Sequence, residues 1–172
     1  MRTRPAFLLL PLLLLAGCGE DSVTEPPRLD VSVVSGMYSL TQLSFDPQGS
    51  LPAVDLLPAL NQVPTLNLTT TLQTQIVVQD PVTSLVFTIN GTYQTTEDGV
   101  RIQFPEGAGN QNLLLPSPLN LTYDQQAKTL TFSGAVQGGI SRERLIQLVP
   151  ALADEQLLDP VPGSLVIEFT KN

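Results

Sequence analysis

From Gly36 onward, apolar and polar side chains alternate with a period of two, and this alternation limits the fold more than any other feature of the chain. Successive side chains of an extended strand point to opposite faces, so alternation means one buried face and one wetted face. Residues 65–78 place Leu66, Leu68, Leu72, Ile76 and Val78 on one face, and Asn67, Thr69, Thr71, Gln73 and Gln75 on the other. Residues 85–95 repeat the scheme, with Leu85, Phe87, Ile89 and Tyr93 opposed to Thr88, Asn90, Thr92 and Gln94. Asp98-Gly99 suits a type I′ hairpin turn, because both residues tolerate positive φ. The strand after it returns Val100, Ile102 and Phe104 to one face. Leu119, Leu121 and Tyr123 alternate with Asn120 and Thr122, a polar turn at 124–128 leads to Leu130 and Phe132, and Leu165, Ile167 and Phe169 complete the series. An earlier strand over 36–45 carries Met37, Leu43 and Phe45 on one side and Tyr38 and Leu40 on the other.

About seven such strands, rich in β-branched, aromatic and Thr residues with short polar connections, read as an antiparallel meander. Their edges must be protected, either by closure into a barrel or by splitting into two sheets. The expected fold is mainly β, a small barrel, with a β-sandwich as the alternative. Two segments break the pattern. Residues 51–64 are apolar but contain Pro52, Pro58 and Pro64, which allow only a loop or a single helical turn. Residues 141–158 read as one short helix before the last strand, with Ser141 as N-cap and Leu145, Ile146, Leu148, Val149 and Leu152 near helical spacing. Pro150 ends or kinks it, and a second turn is expected over 154–158. Such a helix lies against the sheet or across one end of a barrel.

The N-terminus follows a different rule. Arg2 and Arg4 form a short positive region, Ala6–Leu15 is apolar, and Leu15-Ala16-Gly17-Cys18 ends the run in small residues. That order is the layout of a secretory signal. Ten apolar residues fall well short of the roughly 20 needed to span a bilayer. Leu15-Ala16-Gly17-Cys18 resembles the lipobox of bacterial lipoproteins. The resemblance covers the first eighteen residues and implies a diacylglyceryl group on the Cys18 thiol, cleavage before Cys18, and acylation of the new N-terminus. Two or more acyl chains anchor stably, whereas one holds only marginally. Cys18 is also the only cysteine, so no internal disulfide is available to it.

Cleavage there leaves 155 of 172 residues, a length for one domain. It removes two of the eight basic residues and none of the sixteen acidic ones, so the formal charge moves from −8 to −10. The expected organisation is a signal peptide over 1–17, a lipidated, disordered acidic tether over 18–34, and a single β domain over 35–172. Glu20, Asp21, Glu25 and the Pro26-Pro27 pair make the tether polar and extended. Its stretch from Gly19 to Asp30, twelve residues at ~3.3 Å each, reaches about 40 Å. In diderm bacteria an Asp directly after the lipidated cysteine favours the inner membrane. Gly19 stands there instead, which favours the outer membrane of the cell envelope.

Chemistry is harder to find. The chain has no His, so Ser–His–acid and Cys–His catalysis lack their base, and zinc lacks its usual ligands. Glu97, Asp98, Glu106, Asp154 and Glu155 are the carboxylates available for a two-acid mechanism. Glu97 and Asp98 sit in a turn, and Asp154 and Glu155 at the start of a helical turn, where carboxylates serve backbone geometry. Gly107-Ala108-Gly109 lacks the Lys-Ser/Thr of a phosphate loop, and no basic patch with interleaved aromatics exists. No catalytic residue, metal site, cofactor or nucleic-acid partner is expected, and the chain reads as non-enzymatic.

The apolar inventory remains. Gly36-Met37-Tyr38, the strand meander and a helix before the last strand resemble bacterial lipocalin-like lipoproteins in outline over residues 36–170. In lipocalins a Trp follows the first glycine after one intervening residue. Tyr38 takes that place, and the later Arg that packs on the Trp has no clear counterpart. The resemblance implies a barrel whose interior holds a small hydrophobic ligand. Leu72, Ile76, Phe87, Ile89, Ile102 and Leu121 are the residues expected to line it. The expected partners are that ligand and, through lipid on Cys18, the membrane.

Overall fold

A computed structural model describes residues 27–49, 51–80, 84–105 and 115–172. Its elements in chain order are α1 (Val31–Val34), β1 (Gly36–Pro47), β2 (Val54–Asp55), β3 (Thr65–Leu68), β4 (Gln73–Gln79), β5 (Val86–Thr95), β6 (Gly99–Gln103), β7 (Leu119–Asp124), β8 (Thr129–Ala135), α2 (Arg142–Leu148) and β9 (Gly163–Lys171). Single 3₁₀ turns at Leu57–Ala59 and Pro150–Leu152 complete it.

Every pairing is antiparallel, and the strands hydrogen-bond in the order β1-β3-β4-β5-β6-β7-β8-β9 before β9 pairs back with β1. The sheet therefore closes into an eight-stranded barrel, and the sandwich alternative is set aside. The ninth strand, β2, takes Ser44 and Phe45 of β1 beyond the stretch that pairs with β3.

β1 settles a conflict in its own pattern. Tyr38 and Leu40 have one parity and Leu43 and Phe45 the other, yet all four are buried. The β1–β9 register shifts between Leu40 and Gln42, so a bulge at Thr41 turns both pairs inward and leaves Met37 exposed. Residues 65–78 also differ from the expected single strand. They form the hairpin β3–β4, closed at Thr69, whose backbone N–H donates to the Gln73 carbonyl at 2.9 Å and whose Oγ1 accepts from the Gln73 N–H at 3.1 Å. Four loop residues preserve the parity, so Leu66, Leu68, Ile76 and Val78 all still face inward.

Side chains on the inner face form one continuous core that draws on every strand. Tyr38, Phe45, Leu66, Leu68, Ile76, Tyr93, Ile102, Leu119, Leu130 and Phe169 are each less than 2 % exposed. These side chains are shut off from bulk solvent and belong to one packed cluster. The outer face instead carries Asn67, Gln75, Asn90, Thr92, Gln103, Asn120 and Thr122. This arrangement is the inverse of a membrane-spanning barrel, whose outside is apolar.

The helix before β9 is shorter than expected. α2 stops at Leu148, ahead of Pro150, one 3₁₀ turn follows, and no helix forms over 154–158. The disordered tether expected over 18–34 overlaps α1 at its C-terminal end. Its last residues are ordered: Asp30 caps α1 by accepting from the Ser32 N–H at 2.8 Å, and Val34 is buried.

Candidate functional site

The barrel has two unlike ends. Short turns, α1 and the last residues of β9 gather at one, here called the base. The longer connections, including α2, gather at the other, the mouth.

At the base, the Leu29 N–H donates to the Thr96 carbonyl at 2.8 Å, bringing the chain in beside the β5–β6 turn. α1 then crosses beneath the barrel. The Tyr38 hydroxyl donates to the Val34 carbonyl at 2.6 Å, and Lys171 Nζ and the Tyr123 hydroxyl donate to the Val33 carbonyl at 2.9 and 3.4 Å. These bonds satisfy carbonyls left over at the end of a one-turn helix. The Lys171 ammonium also lies 5.8 Å from the centre of the Tyr38 ring, within cation–π range. Gly36, at φ 143°, makes room for it: a Cβ there would lie 2.7 Å from Lys171 Cε. Lys171 therefore supplies a cation packed on the Tyr38 ring. It stands 133 residues away, and as a lysine it carries no signature.

Burial raises the pKa of the Tyr38 hydroxyl far above the usual range for phenol, with smaller contributions from Tyr123 and Tyr93. Burial also raises that of Tyr93, whose hydroxyl donates to the Thr69 carbonyl at 2.6 Å. Both are structural donors.

At the mouth, α2 lies as a lid. Ser141 Oγ accepts from the Arg144 N–H at 3.3 Å and Asp159 Oδ1 from the Arg142 N–H at 3.0 Å, which fixes its first turn. Leu145, Leu148 and Leu152 are buried in the same core as Leu56, Phe104 and Leu115. Arg144 reaches Asp80, just past β4, at 3.6 Å.

Of the six residues expected to line a ligand cavity, Ile76, Ile89, Ile102 and Leu121 are brought together inside the barrel, packed against their neighbours. Leu72 and Phe87 are not inside, and this corrects the expectation. Leu72 sits at the β3–β4 turn with φ 63° and is 39 % exposed. Phe87 keeps the inward register opposite Val78 but stands at the rim, also 39 % exposed. One polar group inside lacks a partner: Thr74 Oγ1, buried on the inner face near Gly91 and Phe104.

An open depression of about 650 Å³ lies on the outer face, lined in part by Thr122, Asp124, Thr129, Thr131 and Glu168. Its two acids are already in use. Asp124 Oδ1 accepts from the backbone N–H groups of Gln126 and Ala127, and Glu168 accepts from Thr41 Oγ1. Thr96 Oγ1 likewise donates to Asp98 Oδ1 within its turn. Among the described residues no group of three or more His, Cys, Asp or Glu side chains is placed to hold a metal. Cys18, Glu106 and Gly107–Gly109 lie outside the described residues.

The fold and its ends define a class: a closed antiparallel barrel of eight strands, apolar within and polar without, with a strap under its base and a lid over its mouth. Comparison with family models, with curated proteins and with solved structures finds no match.

Proposed function

We propose that the chain is an exported lipoprotein of the cell envelope, held through lipid on Cys18 at the outer membrane in preference to the inner, whose barrel acts by non-covalent binding through its surface and not by catalysis. The observation that carries this proposal is the packed interior. The side chains that would face a ligand fill the barrel, and α1 and α2 cover its two ends. What the molecule offers a partner is therefore its outside and its rim. The anchor fits the geometry, since the polypeptide joins the barrel at its base directly after the tether.

One observation favours a second proposal, a small hydrophobic ligand held inside. The buried Thr74 hydroxyl has no protein partner, and natural proteins rarely leave such a group unsatisfied. Entry would require α2 to move. Native mass spectrometry of the protein isolated from its host separates the two. A packed interior predicts the covalent acyl mass alone, whereas a non-covalently bound lipid lost on gentle activation would transfer the function to the interior.

A further inference from the structure

We propose that the rim of the mouth is a docking surface for a cationic amphipathic segment of another protein, one that presents apolar side chains beside Lys and Arg. This deepens the proposal that the barrel works through its surface.

The centre of the surface is apolar. Leu85 and Val86 are 58 and 59 % exposed; Leu85 and Phe87 take the inward side of the rim at the start of β5, and Val86 between them takes the outer side. Val63, two residues before β3, is exposed at the same end. Single exposed apolar residues are ordinary, but three in succession at the tip of a hairpin are not. No charged residue occurs from Ser84 through Thr96.

The mouth end is acidic. Apart from the Asp80–Arg144 pair, the mouth half carries Asp46, Asp55, Glu143, Asp154, Glu155 and Asp159 against Arg142 alone among the described residues. The base half carries Asp30, Glu97, Asp98, Asp124 and Glu168 against Arg28, Arg101, Lys128 and Lys171. Among the described residues the mouth end is thus more negative than the base, and a complementary partner presents positive charge beside its apolar side chains.

Two other occupants fit less well. A second copy would bring an equally acidic end against this one. The anchoring bilayer lies at the other end, because the tether leaves from the base. Residues 18–27 and β5 both number ten residues and span the same length, about 30 Å, when extended. Turning the rim onto that bilayer would use the whole tether, and anionic head groups would repel the acidic end.

The test is a binding titration on the protein carried by its own lipid in zwitterionic nanodiscs. If the protein is not lipidated it stays in solution and is titrated there, so the docking surface and the anchor are read separately. The probe is a short labelled amphipathic peptide with one leucine face and one lysine face. Its counterpart has Glu in place of Lys. The Leu/Lys peptide is expected to bind, to weaken with added salt, and to lose about tenfold or more in affinity with Leu85→Ser and Phe87→Ser combined. The Leu/Glu peptide is expected not to bind. Asp124→Asn, at the base, should leave the affinity unchanged. An unchanged melting temperature in the rim variant excludes misfolding as the cause. Equal binding of both peptides, undiminished binding by the folded rim variant, or a rim-dependent dimer in sedimentation would overturn the proposal.

Discussion

Two side chains carry more of this structure than their residue types suggest. Thr74 buries a hydroxyl that bonds to nothing in the protein, and such a group costs about 1–3 kcal/mol. Thr74→Val keeps the shape and removes the cost, so thermal denaturation should show a gain of about 1 kcal/mol. A loss would mean that the hydroxyl is satisfied by an enclosed water or ligand. Lys171 clamps α1 through the Val33 carbonyl and the Tyr38 ring. Lys171→Met removes both contacts and should cost about 1–2 kcal/mol. Faster amide exchange at Val33–Ser35, with the strands unaffected, would place the loss in the strap. The buried tyrosines add a pH dependence. Folding raises the pKa of Tyr38 and Tyr93, so their contribution is fully present below the unfolded value near 10 and is lost as pH rises beyond it. Chemical denaturation across the alkaline range should show stability falling above about pH 10, and a Tyr38→Phe variant should lose less stability there.

Among the elements, α2 is tied to the end of β4 by the Arg144–Asp80 ion pair. Asp80→Asn breaks the Arg144 contact, which is largely shielded from solvent, and should cost about 1 kcal/mol. The α2 amides should then exchange faster than those of β4, and uniform exchange across both would show that the lid and strand open together. The elements were legible in the sequence to differing degrees. Alternation left barrel against sandwich open, and only the β1–β9 pairing decides for the barrel. It did identify the faces of β4–β9, because a period of two survives any turn that keeps parity. The same property hid the β3–β4 turn. Thr69–Leu72 has neither Gly nor Asn, and Thr69 closes it with a side-chain hydroxyl, so the residues read as unbroken strand. The bulge in β1 was hidden for the opposite reason: a phase change between Leu40 and Leu43 looked like two faces. The rim went unnoticed because Leu85 and Phe87 keep the parity of core residues. Periodicity reports which face a side chain takes, not whether the barrel is still enclosed at that height.

For the whole molecule, closure explains both what the sequence lacks and what it places at its ends. A barrel filled by Tyr, Phe, Leu and Ile needs no disulfide or metal to be stable, and its polar exterior suits water and not lipid. The proposed attachment to a membrane rests on a residue outside the barrel, Cys18. The described chain enters the barrel at its base, where the Leu29 N–H meets the Thr96 carbonyl, and under the proposed anchoring at Cys18 the mouth is the end farther along the chain from that residue. Intact mass measurement of the protein isolated from its host membranes tests this directly. The account predicts a chain beginning at Cys18 and carrying a diacylglyceryl group with a further acyl chain, and a Cys18→Ser form that carries none and leaves the membrane fraction. An unmodified Cys18, or a chain that still begins at Met1, would contradict it.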